Sequence, residues 1–336
     1  MLFELAVELA CAAFMQVDDP GSPDWWPQCE LLVPHIQSLA TRQDTSRQAK
    51  KQLLLAHHRR GKYLTSRGRY VEVESLYESV IADRQQLFGL EDLDTLAVMD
   101  DLAWVYQCGG CYRDAGTLFK RVLQSRKNQL GPEHRHTLST MYRLAVIYIK
   151  QDRNESAEAL LKQVLQSQER TIGSEDSDTL ETAKTLAIAY RLQHQYDEAE
   201  SLLTRVLRAN ERLLGSEHRS TLATGHALAN VYLSQQRHDD AAALFQQVLL
   251  AREKRLGSKH PDTLATMYNL ARVYDAQGCY VEAENLLVRV LAGNEETLGL
   301  LHPYTLNAVE FLVSVYKNLG RFHDAKMLDQ RVSLMS

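Results

Sequence analysis

The sequence predicts an all-α fold, an α-solenoid of about seven helix-turn-helix units of 42 residues behind an N-terminal helical cap. Three observations predict it. Glycines fall at Gly89, Gly131, Gly173, Gly215, Gly257 and Gly299, and each is followed six residues later by a Thr-Leu pair, from Thr95-Leu96 to Thr305-Leu306. The same step carries three more columns, which run from Leu102 to Leu312, from Tyr106 to Tyr316 and from Ala115 to Ala325. Within one unit, Leu96, Met99, Leu102, Ala103 and Tyr106 follow helical spacing, and so do Ala115, Leu118, Phe119, Val122 and Leu123. Such a period makes each unit a helix pair that buries its apolar face only by stacking on its neighbours.

In chain order, residues 1–46 form the cap. The run from Leu2 to Val17 is apolar but carries Glu4 and Glu8, and it reads as a mostly buried amphipathic helix. It is too short and too acidic to span a bilayer, and the first basic residue, Arg42, lies too late for an export signal. The array then occupies 47–336, as units 47–88, 89–130, 131–172, 173–214, 215–256, 257–298 and 299–336. The turn inside each unit is placed at Gly109-Gly110, Gln151-Asp152, Gln193-His194, Gln235-Gln236, Gln277-Gly278 and Leu319-Gly320. The glycine of the 42-residue step is expected just past the second helix, in a left-handed conformation. Pro261 and Pro303 suit the first position of the following helix. The ends are atypical, as array ends should be. The first unit has Leu53-Leu54 in place of Thr-Leu, and the last puts Asp329 in the column held by Phe119, Leu161, Leu203, Phe245 and Leu287.

Composition narrows the function. The chain of 336 residues is 45% apolar and 24% charged, which excludes disorder. A formal net charge of −5 argues against a nucleic-acid partner, whose phosphates would need neutralising. Five cysteines, an odd number, read as reduced thiols, so a cytoplasmic protein without membrane insertion is expected.

Leu102-Ala103-x-x-Tyr106 on the first helix and Ala115 early on the second resemble the tetratricopeptide repeat. The stretch Leu256 to Leu264, Leu-Gly-x-x-His-Pro-x-Thr-Leu, is similar to the kinesin-light-chain type of that repeat. The resemblance covers 47–336. It implies a right-handed superhelix whose first helices line a concave face, and a role in binding protein segments rather than a particular chemistry. Two departures separate the chain from true kinesin light chains. Residues 1–46 show no heptads, and of the paired asparagines ahead of Leu-Ala only Asn269 is present.

The segment from Trp25-Trp26-Pro27 to Pro34-His35-Ile36 resembles the junction ahead of the repeats in fungal NB-ARC and NACHT signalling NTPases. That resemblance implies an alternative function, the C-terminal sensor or regulatory part of such a protein without its ATPase domain. The chain has no Gly-x-x-x-x-Gly-Lys-Ser/Thr loop. Locally, Trp25 and Trp26 also read as a cap on the apolar end of the first repeat, and the two readings are compatible.

No catalytic constellation, cofactor motif or metal set is expected. Cys108-Gly-Gly-Cys111 lacks the second ligand pair of a zinc site, and Cys111 and Cys279 share the inter-helix turn column. His134, His218, His260 and His302 share a helix-start column with Asp92 and Asp176, which points to capping.

Binding is expected on the exposed side of the first helices. Across the array those positions hold Arg59, Lys62, Arg143, Lys150, Lys184, Arg191, Arg272 and Lys317 against Asp100, Asp101, Glu181, Asp275 and Glu310. The inner face is thus net basic on a net acidic chain. Arg143, Lys150, Lys184 and Arg191 mark a cluster suited to an acidic peptide, with Arg272 and Asn269 further along. Tyr142, Tyr268 and Phe311 are candidate apolar anchors. The alternative reading of these positions is a solvated helix face of mixed charge. Self-association through the N-terminal apolar helix is a further partner expectation.

Overall fold

A computed structural model describes residues 2–40 and 46–333, and it is helical throughout, with no strand among the described residues. The cap contains α1 (Leu2–Met15), a single 3-10 turn (Pro23–Trp25) and α2 (Trp26–Ala40). Seven helix pairs follow: α3 (Arg47–Ser66) with α4 (Tyr70–Phe88), α5 (Leu93–Cys108) with α6 (Tyr112–Leu130), and α7 (Arg135–Lys150) with α8 (Asn154–Thr171). The remaining four are α9 (Ser177–Leu192) with α10 (Tyr196–Leu214), α11 (Arg219–Ser234) with α12 (His238–Leu256), α13 (Pro261–Ala276) with α14 (Tyr280–Leu298), and α15 (Pro303–Asn318) with α16 (Phe322–Ser333). The chain divides into two compact units, 1–167 and 168–336. Within each, every second helix packs on the first helix of the following pair.

The repeating columns form these elements for identifiable reasons. Ala103, Ala115, Ala145 and Phe119 are fully buried in unit 1, and Ala187, Ala199, Ala229 and Phe245 in unit 2, so small residues bring the paired helices together. All six helix-start residues accept a backbone N–H, as capping predicts. Asp92 accepts from Thr95 and Asp176 from Asp178, while His134, His218, His260 and His302 accept through Nδ1 from the N–H two residues on. The threonines of the Thr-Leu pair are not used alike: Thr221 and Thr305 donate from Oγ1 to the carbonyls of Gly215 and Gly299 at 2.7 Å, Thr95 donates to Asp92, and the buried hydroxyls of Thr137, Thr179 and Thr263 make no hydrogen bond.

The step glycines depart from expectation in one dihedral. At Gly131 φ is 88°, positive as predicted, but ψ is 164°, an extended value far from the left-handed helix. That region is open in practice only to glycine. The left-handed residues lie instead in the turn inside each pair, where φ is 58° at Asp152, 61° at His194 and 62° at Gln236.

In unit 1 the cap and the first repeats share one core. Val7, Cys11, Phe14 and Val17 join Cys29, Ile36, Leu53, Leu64 and Tyr77. Helix α1 packs on both α2 and α3, so it has partners within the chain. It is less buried than the sequence suggests: Leu5 and Leu9 are 50% and 62% exposed on the opposite side. Trp25 and Trp26 pack against the same core. Trp26 also donates from Nε1 to Ser66 Oγ at 3.1 Å, and the Arg67 guanidinium lies 4.6 Å from its ring centroid. The tryptophans therefore close the end of the first helix pair. At the other terminus, in unit 2, Asp329 is exposed, as a capping helix requires. No helix among the described residues is long and apolar enough to cross a membrane.

Candidate functional site

The second helices hold a polar column that the sequence reading missed. Arg84, Arg126, Asn210, Arg252 and Asn294 recur at the 42-residue step or its multiple, and all are buried. Each reaches the first helix of the following pair. Arg84 pairs with Asp92 and Asp94 at 2.8 and 2.9 Å, and Asn210 donates to Thr224 Oγ1 at 3.1 Å. Arg252 donates to Thr266 Oγ1 and to the Asp262 carbonyl at 2.7 and 2.8 Å, and Asn294 to the Tyr304 carbonyl at 3.3 Å. Reading the second-helix columns as the first-helix columns were read would have found it.

In unit 1 this column joins the inner face. Arg126 lies 3.1 Å from Asp100 Oδ1, and Thr140 donates to the same oxygen at 2.9 Å. Asp101 Oδ2 meets His58 Nε2 at 2.8 Å and Lys62 Nζ at 3.6 Å. Arg143 lies between the two carboxylates, 3.1 Å from Asp100 and 3.6 Å from Asp101, in ion pairs out of line for hydrogen bonding. Its guanidinium also lies 5.4 Å from the ring centroid of Trp104. Burial raises the pKa of Asp100, against the lowering influence of Arg143 and Arg126. Burial acts the same way on Asp101, but the His58 hydrogen bond and the charges of His58, Lys62 and Arg143 outweigh it and hold that pKa down. The expected cation Arg143 is thus already matched by carboxylates of its own chain. Tyr142 is half-buried beside it, and Lys150 is exposed at the end of α7.

Unit 2 arranges its inner face differently. Tyr268 and Phe311 meet edge to face, with ring centroids 5.6 Å apart at 68°. They line a cleft of about 400 Å³ together with Arg272, Asp275, Asn307 and Glu310. Arg272 donates to Asn269 Oδ1 at 3.4 Å, and Asn269 Nδ2 lies 3.1 Å from His226 Nε2. Arg191 is half-buried, and both its burial and the like charge of Arg272 lower its pKa. Burial, then the charge of Arg252, lowers the His226 pKa to about 4, with Arg191 adding to the effect. Lys184, the other expected cation, pairs with Glu181 at 2.6 Å. Of the predicted residues, unit 2 therefore brings Tyr268, Phe311 and Arg272 to one cleft, with Asn269 bonded to Arg272 and Arg191 within reach of its charge.

Among the described residues no group of three or more His, Cys, Asp or Glu is placed to hold a metal ion. Cys108 and Cys111 are exposed at the turn after α5, and all five cysteines are free.

Comparison with known proteins adds the following. The tetratricopeptide-repeat profile matches residues 105–170, 136–212, 178–254 and 220–296, which together exceed half of the chain. A kinesin-light-chain-like protein of nearly identical TPR-like repeats from Podosopora anserina is 35% identical, with a TM-score of 0.52 over 60% of this chain and 95% of that one. BtubC (BKLC) from P. vanneervenii is 20% identical, with a TM-score of 0.54 over 70% and 94%. NprR in complex with its cognate peptide NprX is 14% identical, with a TM-score of 0.64 over 97% and 87%. The latter two share the fold. No match was found among curated protein sequences.

Proposed function

The chain belongs to the tetratricopeptide-repeat family, and from that premise we propose that it is a non-catalytic interaction scaffold that holds an extended or helical segment of a partner protein on the first-helix face of unit 2. The observation that carries this reading is the Tyr268–Phe311 pair at a cleft that also presents Arg272 and Asn307. Aromatic anchors beside a guanidinium are the combination that dominates peptide interfaces. The fold neighbour NprR, solved with its peptide NprX, supports a peptide as the kind of partner. In unit 1 the same helix face, with Tyr142, Arg143 and Lys150, plays the lesser part, because Asp100 and Asp101 already engage Arg143.

The test is selection from a random-peptide phage library on the full chain, followed by affinity measurement of the selected peptides on variants. Phe311→Ala is expected to weaken binding by about tenfold or more. Leu250→Ala on α12, a side chain 72% exposed on a second helix, is expected to change nothing. Peptides that bind both variants as they bind the wild-type chain would remove the reading.

A further inference from the structure

Helix α1 is apolar around all but one edge. Of its 14 residues only Glu4 and Glu8 carry a polar side chain. A helix of that composition is ordinarily covered on every side. The fold covers one side, where Val7, Cys11 and Phe14 enter the core that the cap shares with α3 and α4. On the opposite side Leu5, Leu9 and Ala12 follow i, i+4, i+7 spacing and form one exposed line about two turns long. Ala6 and Ala13 border that line on one side, and Glu4, Glu8 and Met15 border it on the other. An exposed apolar line with a polar border marks an interaction surface.

Charge decides what docks there. The acids of the cap are Glu4, Glu8, Asp18, Asp19, Asp24 and Glu30, and the first basic side chain in the sequence is Arg42. Glu4 lies in the first turn of α1, where a carboxylate also complements the helix dipole. Glu8 lies a turn further on and has no such role. Among the described residues, Glu30 is the one cap acid with an ion pair, 3.5 Å from Arg67. Helix α3 packs on α1 and carries Lys50 and Lys51, yet among the described residues it forms no ion pair with Glu4 or Glu8. A second copy of the chain fits this surface poorly. An antiparallel two-fold pairing of α1 with its copy brings the two acid edges to the same side, and a parallel one aligns the two helix dipoles. A membrane surface fits no better, because helices that lie on anionic lipid carry Lys or Arg along their polar edge and α1 carries acids.

We propose that the outward face of α1 is a docking surface for a basic amphipathic helix of a partner protein. The apolar stripe of that helix covers Leu5, Leu9 and Ala12, the small Ala6 and Ala12 let the two backbones approach, and Lys or Arg beside the stripe meets Glu8. Helices α2 and α3 already hold α1, so its face is presented ready-ordered and docking costs little on this side. The surface belongs to a cap helix of unit 1 and operates independently of the cleft in unit 2.

The experiment is a selection on the full-length chain from a phage-displayed library of single helices randomised along one face, with counter-selection on the Leu5→Gln, Leu9→Gln double variant. Both leucines are exposed, so that variant is expected to keep the circular dichroism and melting temperature of the wild type. Retained clones are expected to carry apolar residues at i, i+4 and i+7 with Lys or Arg beside them. Their synthetic peptides, followed by fluorescence anisotropy, should bind Glu8→Gln about two- to fivefold more weakly, weaken as salt rises, and bind Phe311→Ala as they bind the wild type. Retained clones without a preference for Lys or Arg would overturn the basic partner, and failure to retain any clone would overturn the docking surface. Two further measurements read the other occupants. A dimer in sedimentation velocity that the double variant dissociates would assign the face to a second copy, and flotation with phosphatidylcholine and phosphatidylserine vesicles that the double variant abolishes would assign it to lipid. Either result overturns the proposal.

Discussion

Arg252 donates to Thr266 Oγ1 at 2.7 Å across the boundary between two helix pairs, fourteen residues apart in sequence. Arg126 and Thr140 hold the same relation in unit 1, and there Arg126 has the buried Asp100 as well. The two arginines should therefore respond differently to one substitution. Arg126→Met leaves Asp100 buried with one cation fewer and should cost about 3 kcal/mol or more. Arg252→Met removes a buried guanidinium that bonds to a hydroxyl and a carbonyl and feels the charge of Asp262 without pairing with its carboxylate, and stability should stay within about 1 kcal/mol of the wild type or rise. Urea unfolding of both variants measures the difference.

The turn residues give a second prediction. Gln236 and His194 adopt φ of 62° and 61°, a left-handed conformation that burdens a residue with a Cβ. Gln236→Gly should stabilise the chain by about 0.5–1 kcal/mol. Gly131→Ala should do the opposite, by about 1–3 kcal/mol, because φ 88° with ψ 164° is a glycine region. Thermal melts of the two variants should move in opposite directions.

Acid should destabilise unit 2 through His226 and unit 1 through His57. Burial lowers both pKa values from 6.5 to about 4, with Arg252 acting further on His226 and Arg60 on His57. A histidine whose folded pKa lies below its unfolded one binds its proton more readily in the unfolded chain. The stability it contributes is complete above pH 6.5 and is lost as pH falls toward 4, at up to about 1.4 kcal/mol per pH unit for each group. Unfolding free energies measured across that window should show the slope, and His226→Asn should reduce it by about one proton.

Helix capping gives a fourth. His260 caps α13 through Nδ1, whereas Asp92 and Asp176 do the same work with a carboxylate. A negative charge at a helix N-terminus is favourable, so His260→Asp should add about 0.3–1 kcal/mol, with the gain shrinking at high salt. A melt in low and high salt checks both parts.

The helix pairs and the capping column were legible in the sequence because each repeats at a fixed step, so one noisy position is corrected by its equivalents. That Tyr268, Phe311 and Arg272 share one helix face was legible for the same reason, because periodicity had already located that face. What escaped lies in relations between columns. Arg143 reads as a free cation in its own repeat, and only the packing of α7 on the preceding pair reveals Asp100 and Asp101 against it. The buried Arg126 and Arg252 were hidden because a charged residue on a second helix reads as solvent-facing. The ψ of the step glycines was beyond reach as well, since the sequence demands positive φ there but does not choose between two glycine conformations.

The most direct measurement of the central claim is the hydrogen-exchange footprint of a selected peptide on the full-length chain. Added protection should fall on α13 and α15, over the turns that carry Tyr268, Asn269, Arg272 and Phe311, with α12 and α14 unchanged on their exposed sides. Protection confined to the second helices, or to the cap helices α1 and α2, would contradict the account.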